Sequence, residues 1–359
     1  MGATGLDASV KRTAVIFDKP FAISVATEAV PEGPPGQVLV ETGMSAISPG
    51  TELLIYRGRV PAGWPVDSTL SSLSGAFGYP LRYGYAAVGR VVGAGPDADP
   101  GLIGHRVFSF QPHQSHFHAD PAELIPIPAD IDSEDALFVP TMETAVNFMM
   151  DGRPMIGERV VVIGQGIVGL LTTALLARFP LSELVAIEPC AFRRQKSLEA
   201  GAQIALAPAS PRDGGTPDRN QAADALRDPA DLVYEVSGDP AALDQAISAC
   251  GFDGRVIVGS WYGTRRAALN LGQEFHRNRI RLLSSQVSTI APELTGRWSK
   301  QRRMAVVWDM IRTIRPARFI THRFAVEQAA QAYDLLDRQS ESAVQVVITY
   351  GGSPPREEK

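Results

Sequence analysis

Cysteine is nearly absent. Among 359 residues there are two, Cys190 and Cys250. That excludes a disulfide frame and a four-cysteine structural zinc site, and it suits a reducing, cytoplasmic compartment. Positive charge is also scarce, with 34 Lys and Arg against 39 Asp and Glu and a formal net charge of −5. A nucleic-acid partner is therefore not expected, since such binding rests on neutralising phosphates. The opening MGATGLDASVKRT lacks the apolar core of a signal peptide, and Leu6 stands where a myristoylation signal needs Ser or Thr. One uncharged run, Val160 to Ala177, is long enough to cross a membrane, but Gly164, Gly166 and Gly169 divide it into a strand, a turn and a helix. No membrane partner is expected.

What is present reads as two domains. In the first third, β-branched apolar runs at Thr13–Phe17, Gln37–Thr42, Ala86–Gly93 and Arg106–Phe110 alternate with Gly/Pro punctuation, as in a small antiparallel barrel or sandwich. The Ser/Gly/Pro-rich stretch from Tyr56 to Tyr83 interrupts them, and a connection of that length is functional or has local structure of its own. From residue 160 the rhythm changes. VVVI (160–163), LVAIE (184–188), DLVYEVSG (231–238) and RVIVGS (255–260) alternate with helix-like runs at Val168–Phe179, Phe192–Ala200 and Pro240–Cys250. Such alternation is the mark of a doubly wound parallel α/β sheet. RIRLLSSQ (279–286) reads as a further strand, 296–311 as an Arg-rich helix and VQVVITY (344–350) as a last strand. Residues 208–220 read as an exposed connection and the final GGSPPREEK as a disordered tail.

Gly164-Gln165-Gly166-Ile167-Val168-Gly169 follows a strand and opens a helix, the context in which a glycine pattern signals a dinucleotide site. The first glycine permits the tight turn, the second admits a pyrophosphate, and the third lets helix pack on strand. Glu188 ends the next strand, where an acid binds the adenosine ribose and repels a 2′-phosphate. NAD(H) is thus favoured. NADP(H) stays open on account of Arg193 and Arg194. The strand ends at Ser237, Gly259 and Ser260 are further candidate cofactor contacts.

This layout resembles the medium-chain dehydrogenase/reductase superfamily from about Thr13 to Tyr350. SAISPGTE (45–52) is similar to the segment that usually reads C-G-T-D, YGYAAVGRVV (83–92) to the G-H-E segment, GHRVF (104–108) to G-D-R-V and ETA (143–145) to the turn carrying a cofactor-contacting Thr, here Thr144. The resemblance implies a Rossmann domain at 135–291 and a mainly β, GroES-like domain at 1–134 and 292–359, paired as a homodimer or homotetramer through the edge near Arg279–Gln286. The ligand positions of the family's catalytic zinc hold Pro49, Tyr85–Ala86 and Pro140, so no zinc is expected. ISPGTE, the GYxxVGRVV segment and PHQ (112–114) are most similar to a zinc-free branch that includes bacteriochlorophyllide dehydrogenases.

Without a Lewis acid, an alcohol/carbonyl substrate needs a hydrogen-bond donor and a proton route. Thr51 matches the family's proton-relay hydroxyl, Tyr85 occupies a former ligand position, and His113 is an acid/base candidate facing the cleft, with Glu52 behind them. Tyr56 and Trp261 are candidate substrate contacts, for a molecule that is flat or anionic. The basic run Arg277, Arg279, Arg281, Arg297, Arg302 and Arg303 reads as a solvated face or as an anion anchor. His113, His116 and His118 are weighed as a metal site and set aside in favour of a loop-and-strand reading. Reduction of a quinone or activated C=C bond, and a non-catalytic nucleotide-binding role, are the rival readings.

Overall fold

The computed structural model describes residues 10–67, 69–208, 226 and 228–351. The expected disordered tail and most of the connection at 208–220 lie outside the described residues. The chain divides into a terminal unit, Met1–Pro140 with Arg315–Lys359, and a central unit, Thr141–Ile314.

In chain order the first strands are β1 (Lys11–Lys19), β2 (Ala22–Ala29), β3 (Val38–Ala46), β4 (Ala87–Ala94), β5 (Arg106–Ser109), β6 (His116–Ala119) and β7 (Ile125–Pro126). The central strands are β8 (Arg159–Ile163), β9 (Glu183–Ile187), β10 (Ile204–Leu206), β11 (Ala230–Glu235), β12 (Cys250–Val258) and β13 (Arg281–Ser284). The last are β14 (Ile320–Ala325) and β15 (Gln345–Thr349).

In the terminal unit β1 and β2 pair antiparallel, and a second sheet runs β14-β15-β3-β4-β5-β7 with β6 also on β3. β3 is buried along most of its length because neighbours flank both its edges. The helix Ala329–Arg338 buries Ala329, Ala332, Tyr333 and Leu336, the i, i+3, i+4, i+7 stripe of an amphipathic helix, against Val15, Phe17, Ile55 and Tyr56. Residues 56–83 do have local structure, with a 3₁₀ turn at Ser71–Leu73 and a bridge between Pro65 and Ala76.

The central unit is a six-stranded parallel sheet in the order β10-β9-β8-β11-β12-β13, so the order reverses between β8 and β11. Its inner strands are continuous apolar runs, as expected where both faces are covered. The uncharged run at 160–177 is β8, a turn and the helix Ile167–Leu176. Among the described residues no helix is long and apolar enough to cross a membrane.

The division between units differs from the sequence expectation at the second crossing, which falls after Ile314 rather than before residue 292. The reason is Arg303. It is 1% exposed, and its guanidinium bonds Glu143 Oε1 (2.7 Å), Asn147 Oδ1 (2.6 Å) and the Val287 carbonyl (2.6 Å). These bonds tie the helix Lys300–Ile314 to the helix Val139–Gly152 within the central unit.

Candidate functional site

The terminal unit gathers its polar side chains on the helix Pro49–Tyr56 and the segments facing it. Glu52 is fully buried. Its Oε1 accepts the Ser48 N–H at 2.7 Å, and its Oε2 accepts the His113 imidazole N–H at 3.0 Å and the Tyr333 hydroxyl. A carboxylate only accepts, so it sets the imidazole tautomer with the proton on Nε2. His113 Nδ1 then accepts from Ser45 Oγ at 2.7 Å, which accepts from the Tyr350 hydroxyl at 3.0 Å. Five side chains from five places in the sequence thus form one chain of bonds.

This platform holds two hydroxyl-bearing segments. Ser48 is held through its backbone. Tyr85 is held through Gly84, whose φ of +127° and lack of Cβ let the chain cross the His113 ring, where an added Cβ would lie 2.8 Å from Cδ2. The Tyr85 hydroxyl donates to Ser48 Oγ and lies 3.4 Å from Thr51 Oγ1. Burial, reinforced by the Glu52 charge and opposed by these bonds, raises the phenol above the usual tyrosine range. It is a protonated donor at neutral pH.

Thr51 and Tyr85 are therefore brought together, and Ser48 joins them. Sequence reading passed over Ser48, whose signal was its place in the same SPGTE turn. His113 differs from expectation. Rather than facing a cleft it is 0% exposed, with both ring nitrogens engaged inside the platform. Tyr56 differs as well. Its ring is packed in the core, stacked on Tyr333 at 5.6 Å with Phe21 against its edge at 5.5 Å, because it ends the helix on its buried side. His116 and His118 project from β6 with partly exposed side chains, and His118 Nε2 bonds the Pro31 carbonyl. Among the described residues no group of three His, Cys, Asp or Glu is placed to hold a metal ion.

In the central unit the glycine turn follows β8. A Cβ on Gly164 (φ +95°) would meet Ser237 Cα at 2.5 Å, and one on Gly169 would meet the Gly164 carbonyl oxygen at 1.9 Å. A Cβ on Gly166 would meet nothing within 4 Å. Gly166 is also the N-cap of the helix Ile167–Leu176 and no side chain caps that end. Its first N–H groups and positive dipole end are thus left to face an anion. By contrast Asp239 caps the helix Pro240–Ala249 through the Ala241 N–H.

Glu188, 4% exposed, accepts the Gln165 N–H at 2.7 Å and the Cys190 N–H at 3.0 Å, one on each oxygen, and each oxygen keeps a lone pair for a ribose hydroxyl. Arg194 turns onto the carbonyls of Glu188 and Pro189. Arg193 is half-buried on the same helix turn. The Gln165 side chain points inward to Thr173 and the Val162 carbonyl, so its backbone alone belongs to the loop. Ile167 is buried and Val168 half-buried at the helix start, and Thr144 lies half-buried on the helix Val139–Gly152.

Beyond the strand ends, Ser260 Oγ accepts the Gly238 N–H at 2.8 Å, and Ser237 leans on Glu235. Gly259 has a packing role, since a Cβ there would lie 2.2 Å from the Phe148 ring. Trp261 projects outward, 43% exposed. Three of the arginines are engaged separately. Arg303 is internal, Arg302 stacks on Trp298 at 4.1 Å, and Arg281 pairs with Asp253.

No protein-family model matches the chain. D-guloside 3-dehydrogenase of Escherichia coli (strain K12) is 22% identical over 291 residues, covering 77% of this chain and 81% of that protein. The 2-desacetyl-2-hydroxyethyl bacteriochlorophyllide A dehydrogenase of Cereibacter sphaeroides is 26% identical over 349 residues, covering 90% and 94%. Among solved structures, a short chain alcohol dehydrogenase (rspB) from E. coli CFT073 in complex with NADH shares the fold with a TM-score of 0.74 at 18% identity, covering 94% of this chain and 99% of its own.

Proposed function

For a chain that belongs to the zinc-type alcohol dehydrogenase-like, medium-chain dehydrogenase/reductase superfamily, we propose an NAD(H)-dependent oxidoreductase that works on an alcohol/carbonyl pair without a catalytic zinc. The observation that carries this reading is the Gly166 turn, open to a pyrophosphate and backed by an uncapped helix end, with the buried Glu188 beside it. Gly164–Gly169 would hold the pyrophosphate and Glu188 the ribose. The nicotinamide, when bound, supplies or accepts hydride. This chain's hydroxyls handle the proton. Tyr85, held against Ser48 and Thr51, would turn its one hydroxyl proton from Ser48 to the substrate oxygen, and the Ser48 or Thr51 hydroxyl would then donate to the phenol oxygen.

NADH is expected to bind more tightly than NADPH in a fluorescence titration, with the gap narrowed in Glu188→Ala, which removes both the ribose acceptor and the charge that repels a 2′-phosphate. An NADPH preference in the native protein would overturn the assignment and transfer control to Arg193.

Zinc does not fit the donor set, since Pro49, Ala86 and Pro140 carry no ligating side chain. Metal analysis of the purified protein is expected to find well under about one zinc per chain, and chelators should leave turnover intact. A stoichiometric, activity-linked zinc would refute this. We also assign homodimer pairing to β13, an edge strand whose four residues are all exposed. A cytoplasmic setting is part of this proposal, since two cysteines in 359 residues suit a reducing compartment.

A further inference from the structure

Among the described residues the central unit buries three acids, Glu158, Glu188 and Glu235. Glu158 has a countercharge in Arg255, which grips it with two bonds of 2.7 Å. Glu188 is accounted for by backbone amides and the ribose site. Glu235 is not accounted for. It ends β11 and is 0% exposed. Its Oε1 accepts the Ser237 N–H at 2.8 Å and the Ser237 hydroxyl, and its Oε2 accepts the Tyr262 hydroxyl. All three partners donate, the pattern that satisfies a carboxylate. Among the described residues Glu235 has no salt-bridge partner. Arg265 stitches the same loops, but it is exposed and directs its guanidinium to the carbonyls of Gly238 and Tyr262.

The position of Glu235 indicates what would complement it. Ligands of such sheets lie in the crevice where the strand order reverses, here between β8 and β11. With the ribose at the end of β9 and the pyrophosphate at Gly164–Gly169, the other half of the dinucleotide falls on the β11–β12 side. There Ser237 abuts Gly164 and Trp261 stands beside Tyr262. That half carries the nicotinamide, whose ring is a cation when oxidised and neutral when reduced. A buried anion lacking a countercharge is costly, and a ligand that brings one is favoured over a ligand that does not.

We propose that the Glu235 carboxylate selects the oxidised over the reduced nicotinamide and so biases the bound cofactor toward alcohol oxidation. The inference rests on the dinucleotide reading above. Calorimetric titration of the full-length protein with NAD⁺ and with NADH tests it. The native protein is expected to bind NAD⁺ no more weakly than NADH. Glu235→Gln, which keeps size and hydrogen bonding, should weaken NAD⁺ by about fivefold while NADH changes by less than about twofold, the scale of one charge acting through partly hydrated protein. Tyr262→Phe, which keeps the charge, should leave the ratio of the two affinities where it was. An unchanged ratio in Glu235→Gln, an equal shift for both nucleotides, or an equal ratio change in Tyr262→Phe overturns the charge argument. If Glu235→Gln does not fold, the native ratio decides, and markedly tighter NADH would count against the proposal. Absence of binding by either nucleotide to the native protein would instead sink the dinucleotide reading and the inference with it.

Discussion

His113→Ala is expected to destabilise the terminal unit by about 2–3 kcal/mol, the usual cost of leaving a buried hydrogen-bonding group without one of its partners. His113 and Glu52 are both 0% exposed at 3.0 Å, and removal of the ring strips Glu52 of one of its three donors and Ser45 of its acceptor. The contrast is Arg153 with Glu293, closer at 2.8 Å but 56% and 61% exposed. Arg153→Ala should cost less than about 1 kcal/mol, since hydration and side-chain entropy offset an exposed pair. Burial, not distance, decides between the two. Urea unfolding measures the loss, and hydrogen exchange of the Pro49–Tyr56 amides locates it in this unit. Combining His113→Ala with Glu52→Gln should recover part of the loss, because an amide oxygen needs fewer donors than a carboxylate. A His113→Ala protein within about 1 kcal/mol of native would show that the pair is hydrated and contributes like a surface one.

Tyr85→Phe is expected to lower turnover at least tenfold, toward the 10²–10³ that a single lost oxyanion donor costs, roughly 3–4 kcal/mol. The substitution keeps the ring and removes only the hydroxyl, which separates a donor from a packing residue. Because burial holds the phenol above its usual range, its proton is present throughout neutral pH and is lost only in strong alkali. The rate should therefore not titrate with Tyr85 near neutrality. NADH affinity should change little, as the Tyr85 hydroxyl is assigned to the substrate oxygen and not to the dinucleotide. Thr51→Val and Ser48→Ala should each act in the same direction. Steady-state kinetics on the true substrate, with NADH titration alongside, checks all three. Near-native rates in every variant would place the proton chemistry elsewhere and favour reduction of a quinone or an activated C=C bond, which depends less on a donor at this point.

Much of the central unit was legible in the chain because its signals are local. A buried parallel strand must be apolar throughout, a turn at φ +95° admits glycine, and the acid follows at the end of the next strand, so β8, the turn, its helix, β9 and Glu188 could be read in order. The short or half-exposed strands β2, β6, β10 and β14 were less visible, since with one face solvated or only a few residues long they carry little apolar pattern. The helix Ala329–Arg338 was missed, although its buried stripe is regular, because mixed Ala and charged residues dilute it.

The sequence by itself determined the two-domain layout, the dinucleotide turn and the absence of ligating side chains at Pro49, Ala86 and Pro140, all of which depend on residue type and short spacing. Tertiary structure decided what the isolated polar residues do. His113 read as an acid/base facing a cleft and proved internal, because Ser45 and Glu52, 68 and 61 positions before it, hold its ring and are themselves held by Tyr350 and Tyr333. Arg303 read as part of a basic face and proved to be a tie between helices, since Glu143 and Asn147 stand 160 and 156 positions before it. A hydrogen bond acts over about 3 Å and requires its partners to be folded into place, so for side chains whose partners are distant in sequence, composition and spacing carry no trace of the pairing.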